Sequence, residues 1–216
     1  MKNFLQNPWV ITIVGTMVGV LGAFLLNAWG IKREARALKA EAIEKMSNEV
    51  AQNRERFSQY YQRLDSLIPP FSSLVENYLE EDEVKMTPAQ MSAYQKEHPN
   101  FIQITDSTPL PDGRFIYNGD LELPVLSLIT VSLTESAWKT SQITDVLKGM
   151  DFDCISNIEQ MYDLQQVVQE EYQAALDQLR DDNMEGFVNS NKLLLTYAQA
   201  LMDQYDQFET YKTDCL

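Results

Sequence analysis

The chain has 216 residues, a formal net charge of −15 and only eight glycines and eight prolines. That composition favours helix and leaves room for one domain with a real core. A surface this acidic repels nucleic acid, which argues against that class of partner. The charge is unevenly spread. Residues 1–46 carry six Lys/Arg against three Glu, net +3, and the remainder carries eleven Lys/Arg against twenty-nine Asp/Glu, net −18.

A short tail, 1–7, precedes the most sharply defined element, a predicted transmembrane helix over 8–30. No charge falls between Lys2 and Lys32, and Asn27 is the only strongly polar residue between Trp9 and Trp29. About 20 apolar residues suffice for a helix to cross ~30 Å of hydrocarbon. Trp9 and Trp29 then stand at the two headgroup layers, with Lys32 and Arg33 as the following polar anchors. The run is too long for a signal peptide and no A-x-A site closes it, so a retained anchor is expected. Lys32, Arg33, Arg36 and Lys39 outnumber Lys2 and the α-amino group, which orients the following domain into the cytoplasm. Gly15, Gly19, Gly22 and Ala23 line one face of the helix. Small residues at that spacing let a second helix approach closely, either a second copy or another membrane protein. Glycine is also common in membrane helices without any such role.

A long juxtamembrane helix is predicted over 31–71. Ile43, Met46, Val50, Phe57, Tyr60, Leu64, Leu67 and Phe71 follow in steps of three and four, with Asn53 in the gap. That is a coiled-coil pattern. Tyr61, Ile68 and Ala51 widen it toward a bundle face, the preferred reading over a parallel dimeric stalk. Pro69-Pro70 is expected to end or kink the helix. A short helix from Phe71 would then end in the acidic run Glu80–Glu83, whose consecutive acids lack calcium-loop spacing and read as a solvated turn.

The remainder, 72–216, reads as a helical domain interrupted by an irregular loop at 99–124. Thr87-Pro88-x-Gln90 is a helix start with cap, first-turn proline and capping-box glutamine. Arg114–Tyr117 and Asp120–Leu123, joined by Asn118-Gly119, form a predicted hairpin with a two-residue turn. Ser132-x-x-Glu135 reads as a capping box opening a helix through Trp138 to Lys148. Asp151 or Asp153 caps a long helix with the stripe Cys154, Ile158, Met161, Val168, Tyr172, Ala175 and Leu179. A turn near Asn183 leads to a last helix carrying Leu194, Ala198, Leu201, Tyr205 and Phe208. The fold class is therefore mainly α: a transmembrane helix continuing into a long helix, then an antiparallel helical bundle with a small β-hairpin or loop insertion.

The membrane helix ending Asn27-Ala28-Trp29, and the segments Ala137-Trp138-Lys139-Thr140, Met150-Asp151-Phe152 and Tyr162-Asp163-Leu164-Gln165, resemble a loose group of uncharacterised bacterial single-pass membrane proteins. The resemblance implies an anchor plus helical domain and a bacterial inner-membrane location. It carries over no activity and no functional residue.

No chemistry of catalysis is spelled out. His98 is the single histidine, and it reads as an exposed loop residue. There is no phosphate-binding loop, Gly-x-Ser-x-Gly or Cys-x-x-Cys, so neither an enzyme, a cofactor nor a metal is expected. If the last two helices are antiparallel, Cys154 and Cys215 lie at similar heights and a disulfide is possible. Reduced thiols are preferred, since a disulfide favours an extracytoplasmic domain. The expected function is a membrane-anchored scaffold or adaptor working through the bilayer and protein partners. The alternative is an extracytoplasmic sensor that binds a small ligand under the 99–124 loop.

Overall fold

A computed structural model describes residues 8–80, 83–99, 101–121, 132–181 and 183–215. Helix α1 runs from Pro8 to Tyr78 without interruption. Its first part is apolar on every side and exposed, while Ile43, Met46, Val50, Asn53, Phe57, Tyr60, Leu64, Leu67 and Phe71 are all buried. The step-of-three-and-four pattern is thus consumed inside one chain, as a bundle face. Ala51, expected on the flank of that face, is exposed.

The partners are α4 (Phe152–Arg180) and α5 (Met184–Tyr211). Cross-helix contacts give their directions. Tyr162 reaches Glu49, Gln165 reaches Asn53, and the Tyr172 ring meets Tyr60 edge-on at 5.6 Å, so α4 runs parallel to α1. Glu209 accepts from Ser47, Asp206 pairs with Arg54, Gln199 accepts from Tyr61, and Glu76 pairs with Lys192, so α5 runs antiparallel to both. Asp151 caps α4 by accepting from the Asp153 N–H, and Asn183 caps α5 by accepting from Gly186. All five residues of the expected last-helix stripe are buried.

Pro69 and Pro70 neither end α1 nor start a new helix. Each removes one intrahelical bond and costs about 3 kcal/mol. Leu67, Ile68, Phe71 and Leu74 are all buried around them, at roughly 1.5–3 kcal/mol each. Tyr94 donates its hydroxyl to the Pro70 carbonyl at 2.8 Å. Tertiary burial outweighs the local penalty, so the expected boundary at residue 71 and the separate helix from Phe71 both give way to α1 continuing to Tyr78.

Beyond α1 the chain forms a four-stranded antiparallel sheet in the order β1-β2-β4-β3, from β1 (Leu79–Glu80), β2 (Glu83–Met86), β3 (Ile102–Pro109) and β4 (Phe115–Leu121). Helix α2 (Pro88–Glu97) starts with the expected capping box between Thr87 and Gln90. Phe71 joins this end to the bundle through ring contacts with Phe101 and Phe187.

The expected hairpin turn is in the wrong place. β4 passes straight through Asn118-Gly119, and the tight turn is Leu110–Arg114, where Gly113 has φ +84°. Asp112 also fastens that turn, accepting from the Arg114 backbone and guanidinium, and this holds its carboxyl below the usual range. The stretch expected to be an irregular loop is thus a paired sheet as far as Leu121, and the expected strand residues Glu122 and Leu123 lie outside the described residues. Gly119 has a different task. The β3–β4 register shifts between Ile104 and Asp106, and a Cβ on Gly119 would stand 2.3 Å from the Gln103 carbonyl oxygen. A bulge of this kind needs glycine where two backbones approach.

Replacing Gly119 with alanine is expected to destabilise the sheet by about 1–3 kcal/mol, the usual penalty for forcing atoms into a filled site. Urea unfolding followed by circular dichroism on the full chain in detergent measures it. An unchanged midpoint would remove the close-approach explanation.

Candidate functional site

The expected capping box at Ser132 does not form. α3 spans Ser136–Ile143, its N-cap residue Glu135 makes no side-chain cap, and a 3₁₀ helix over Asp145–Gly149 replaces the expected continuation to Lys148. The cap comes instead from another element. Glu49 on α1 accepts from the Ser136 hydroxyl at 2.7 Å and the Ala137 N–H at 3.0 Å through one oxygen. Its other oxygen accepts from the Tyr162 hydroxyl at 2.8 Å. A carboxylate at a helix N-terminus is favoured by the exposed N–H groups and the helix dipole.

One turn further along α1, Asn53 is wholly buried. Its amide donates to the Thr134 carbonyl at 2.7 Å and to the Gln165 carboxamide oxygen at 3.0 Å, while its own oxygen accepts from the Thr134 N–H and hydroxyl. Gln165 donates back to the Thr134 carbonyl and accepts from the Tyr205 hydroxyl at 2.8 Å. Trp138 lies flat on Tyr162, rings 5.7 Å apart and 4° from parallel. One polar layer thus ties α1, α4, α5 and the turn before α3 together. Trp138, Tyr162 and Gln165 meet in it.

Burial shifts the tyrosines of this layer. Tyr162 and Tyr205 are pushed well above the normal phenol range, first by desolvation and then by the nearby Glu49 charge. Tyr60 is raised by burial and by Tyr172. Tyr211, whose hydroxyl is buried with no partner, is pushed up to about 12 by burial.

Outside the layer, a groove of about 610 Å³ runs between α1 and α3, from Leu38 to Arg56 on one wall and Thr134 to Val146 on the other. Lys45 and Glu41 form an ion pair on its rim at 2.6 Å. The volume is in the range of small-ligand sites, but the groove is open and mixed in polarity, with Glu49 at its floor already satisfied. Among the described residues no group of three or more His, Cys, Asp or Glu is arranged to hold a metal. The acidic run is split between β1 and β2, and Glu80 accepts from Arg114 at 2.6 Å. His98 is half-buried against the Tyr94 ring at the end of α2, not free in a loop.

The expected membrane residues stand apart from the bundle. Trp9 and Trp29 are exposed, and the Arg33 guanidinium lies 5.9 Å above the Trp29 ring. Lys32 and Ala23 are exposed too. A Cβ added at Gly15, Gly19 or Gly22 would meet nothing within 4 Å. Cys154 and Cys215 are joined, with Cα atoms 5.5 Å apart, where the sequence favoured reduced thiols. The bond ties the start of α4 to the end of α5. Glu49 and Gln165 escaped the sequence reading. The available signal was polar residues on the inward half of otherwise apolar helices.

The fold and site define a class: one long helix, apolar enough in its first part to cross a membrane, that becomes the first member of a three-helix bundle capped by a small sheet. No family model, curated protein or solved structure matches the chain.

Asn53→Leu is expected to cost about 2–4 kcal/mol, because it leaves the half-buried Thr134 N–H and one lone pair of the buried Gln165 without a partner. Chemical denaturation of the full chain in detergent reads this directly, and a loss under about 0.5 kcal/mol would contradict the buried-layer account. The raised tyrosines bear on alkaline stability. Their neutral form is favoured in the folded state, so their contribution is complete below the unfolded phenol pKa near 10 and is lost as pH rises above it. Absorbance at 295 nm is expected to show these phenols ionising together with loss of helicity. Ionisation of all ten tyrosines near pH 10 with the helices intact would refute it.

Proposed function

We propose that the chain is a single-pass membrane protein, of the inner membrane of a bacterium, whose bundle stands on the extracytoplasmic side as a scaffold for protein partners. The Cys154–Cys215 bond is the observation that carries the placement. Disulfides persist in oxidising compartments and are rare where thioredoxin and glutathione keep thiols reduced. The Lys32–Lys39 cluster argues the other way, but flanking charge is a bias, and Lys2 supplies a positive charge on the opposite flank. The scaffold role is supported by a polar layer whose Glu49, Asn53 and Gln165 find their partners within the chain. The exposed small-residue face at Gly15, Gly19, Gly22 and Ala23 supports a homodimer or another membrane protein as partner. The proposal includes no cofactor, metal or catalytic role. The groove beside α3 favours a second reading, a sensor domain in which a small ligand seats between α1 and α3.

Topology, disulfide state, self-association and occupancy of the groove separate these readings. Protein from cells is expected to run differently on reducing and non-reducing gels, with alkaline phosphatase fused after Leu216 active. Matching mobility with an inactive fusion would return the domain to the cytoplasm. Cys154→Ser opens a loop closed over a sequence separation of 61, with an expected loss on the order of 4 kcal/mol. Gly15→Ile with Gly19→Ile is expected to lower association in detergent, and unchanged association would mean the small face carries no partner. Asn48→Trp fills the groove from its exposed wall, so a partner interaction that survives it favours the scaffold and one that is lost favours the sensor.

A further inference from the structure

Among the described residues, five large apolar side chains beyond Trp29 are exposed: Ile31 (60%), Leu38 (47%), Ile143 (86%), Phe152 (78%) and Leu193 (42%). Singly, such residues need no explanation. Their location does. Tyr162 is level with Glu49, and α4 is parallel to α1, so Phe152, ten residues earlier, is level with about residue 39, roughly 15 Å beyond Trp29 at the helical rise. The 3₁₀ helix after α3 packs back on α1, and Thr144 and Val146 line the same groove as Leu38 from the opposite wall, which puts Ile143 at that same end. Four of the five therefore face the membrane side of the domain. Leu193 lies at the opposite end, next to the Lys192–Glu76 pair.

We infer that this end, the corner between α3 and α4, rests on the bilayer surface as a second membrane contact. The inference rests on the membrane reading of 8–30 and commits to phospholipid as the occupant. Residues 30–46 carry five Lys/Arg against three Glu, net +2, with Lys32, Arg33 and Arg36 exposed past Trp29, while the exposed Asp151 and Asp153 flank Phe152, so the corner meets the bilayer through its apolar side chains and not through charge.

Reach decides whether the contact is feasible. The apolar run continues to Ile31 before the first charge at Lys32, so the interface lies up to one turn past Trp29. Headgroups extend about 5–7 Å beyond the hydrocarbon. Packed helices stand about 8–10 Å apart. A tilt of about 30°, inside the ordinary range for membrane helices, swings the α3–α4 side toward the bilayer by several ångström. The domain thus leans on the membrane through Ile143 and Phe152, which fixes both the tilt of α1 and the side of the groove that faces away from lipid.

Nitroxide labels at Ile143→Cys and Phe152→Cys test this in full-length chain, with the native disulfide confirmed by gel and the protein in nanodiscs of phosphatidylcholine and phosphatidylglycerol. Both residues are exposed, so folding is unaffected, and helicity checks it. The ratio of oxygen to nickel-chelate accessibility is expected to be several-fold higher at 143 and 152 than at Leu193→Cys. Ratios equal to that of position 193 would overturn the inference while leaving the anchor intact. Spin–spin broadening that disappears on dilution with unlabelled chain would overturn it in favour of a second copy. Loss of the unlabelled chain from vesicles in alkaline carbonate would remove the anchor itself, and the lean with it.

Discussion

Asn53 sits in the middle of an apolar stripe with no access to water. A carboxamide there must find its hydrogen bonds inside the protein, at a cost of about 1–3 kcal/mol for each one missed. It finds them only if Thr134 brings both backbone groups alongside and Gln165 presents its amide from α4. That requirement fixes the height of α4 against α1. Through the Tyr205 hydroxyl on Gln165, it fixes α5 as well. Apolar packing alone tolerates a slide of one turn, since the stripe offers similar side chains at each step. A buried polar contact does not, which is how a single asparagine sets register in helical assemblies.

Glu49 extends the same constraint one turn toward the apolar end of α1. It is a buried anion with three donors and no cation among them, so its stability depends on α3 presenting its first turn and Tyr162 presenting its hydroxyl. α3 in turn has no side-chain cap of its own. The helix and the carboxylate satisfy each other across 87 positions of chain, and Trp138 stacked on Tyr162 closes the layer from the side. The groove follows from this arrangement. α3 is short and ends within eight residues, leaving part of the α1 flank uncovered.

The architecture also links the two ends of the molecule. α1 is one helix from its apolar first part, long enough to cross a membrane, to the edge of the sheet. The disulfide ties the start of α4 to the end of α5 and leaves the Cys215 side chain almost wholly buried. The far end is held by aromatic contacts, with Phe71 as their hub.

Features that depend on neighbours in sequence were legible from the residues themselves. The apolar run, the inward stripe of α1, the Thr87–Gln90 capping box and the α4–α5 pair all rest on local periodicity or on bonds spanning three residues, where physics needs no distant partner. Features decided by distant partners were not. Pro69-Pro70 stays helical because buried neighbours and Tyr94 compensate. Ser132 is no cap because Asn53 claims Thr134 and Glu49 claims the start of α3. Asn118-Gly119 is strand because Asp112-Gly113 turns first and Gly119 must admit the Gln103 backbone. Glu49 and Gln165 look like ordinary surface residues in the sequence, and only the packing of three helices makes them interior. The sequence by itself determined that there is one long apolar helix and a helical domain after it. The tertiary structure alone decided the register of α1 against α4, the origin of the α3 cap and the joining of the two cysteines, because each depends on residues brought together from more than sixty positions apart.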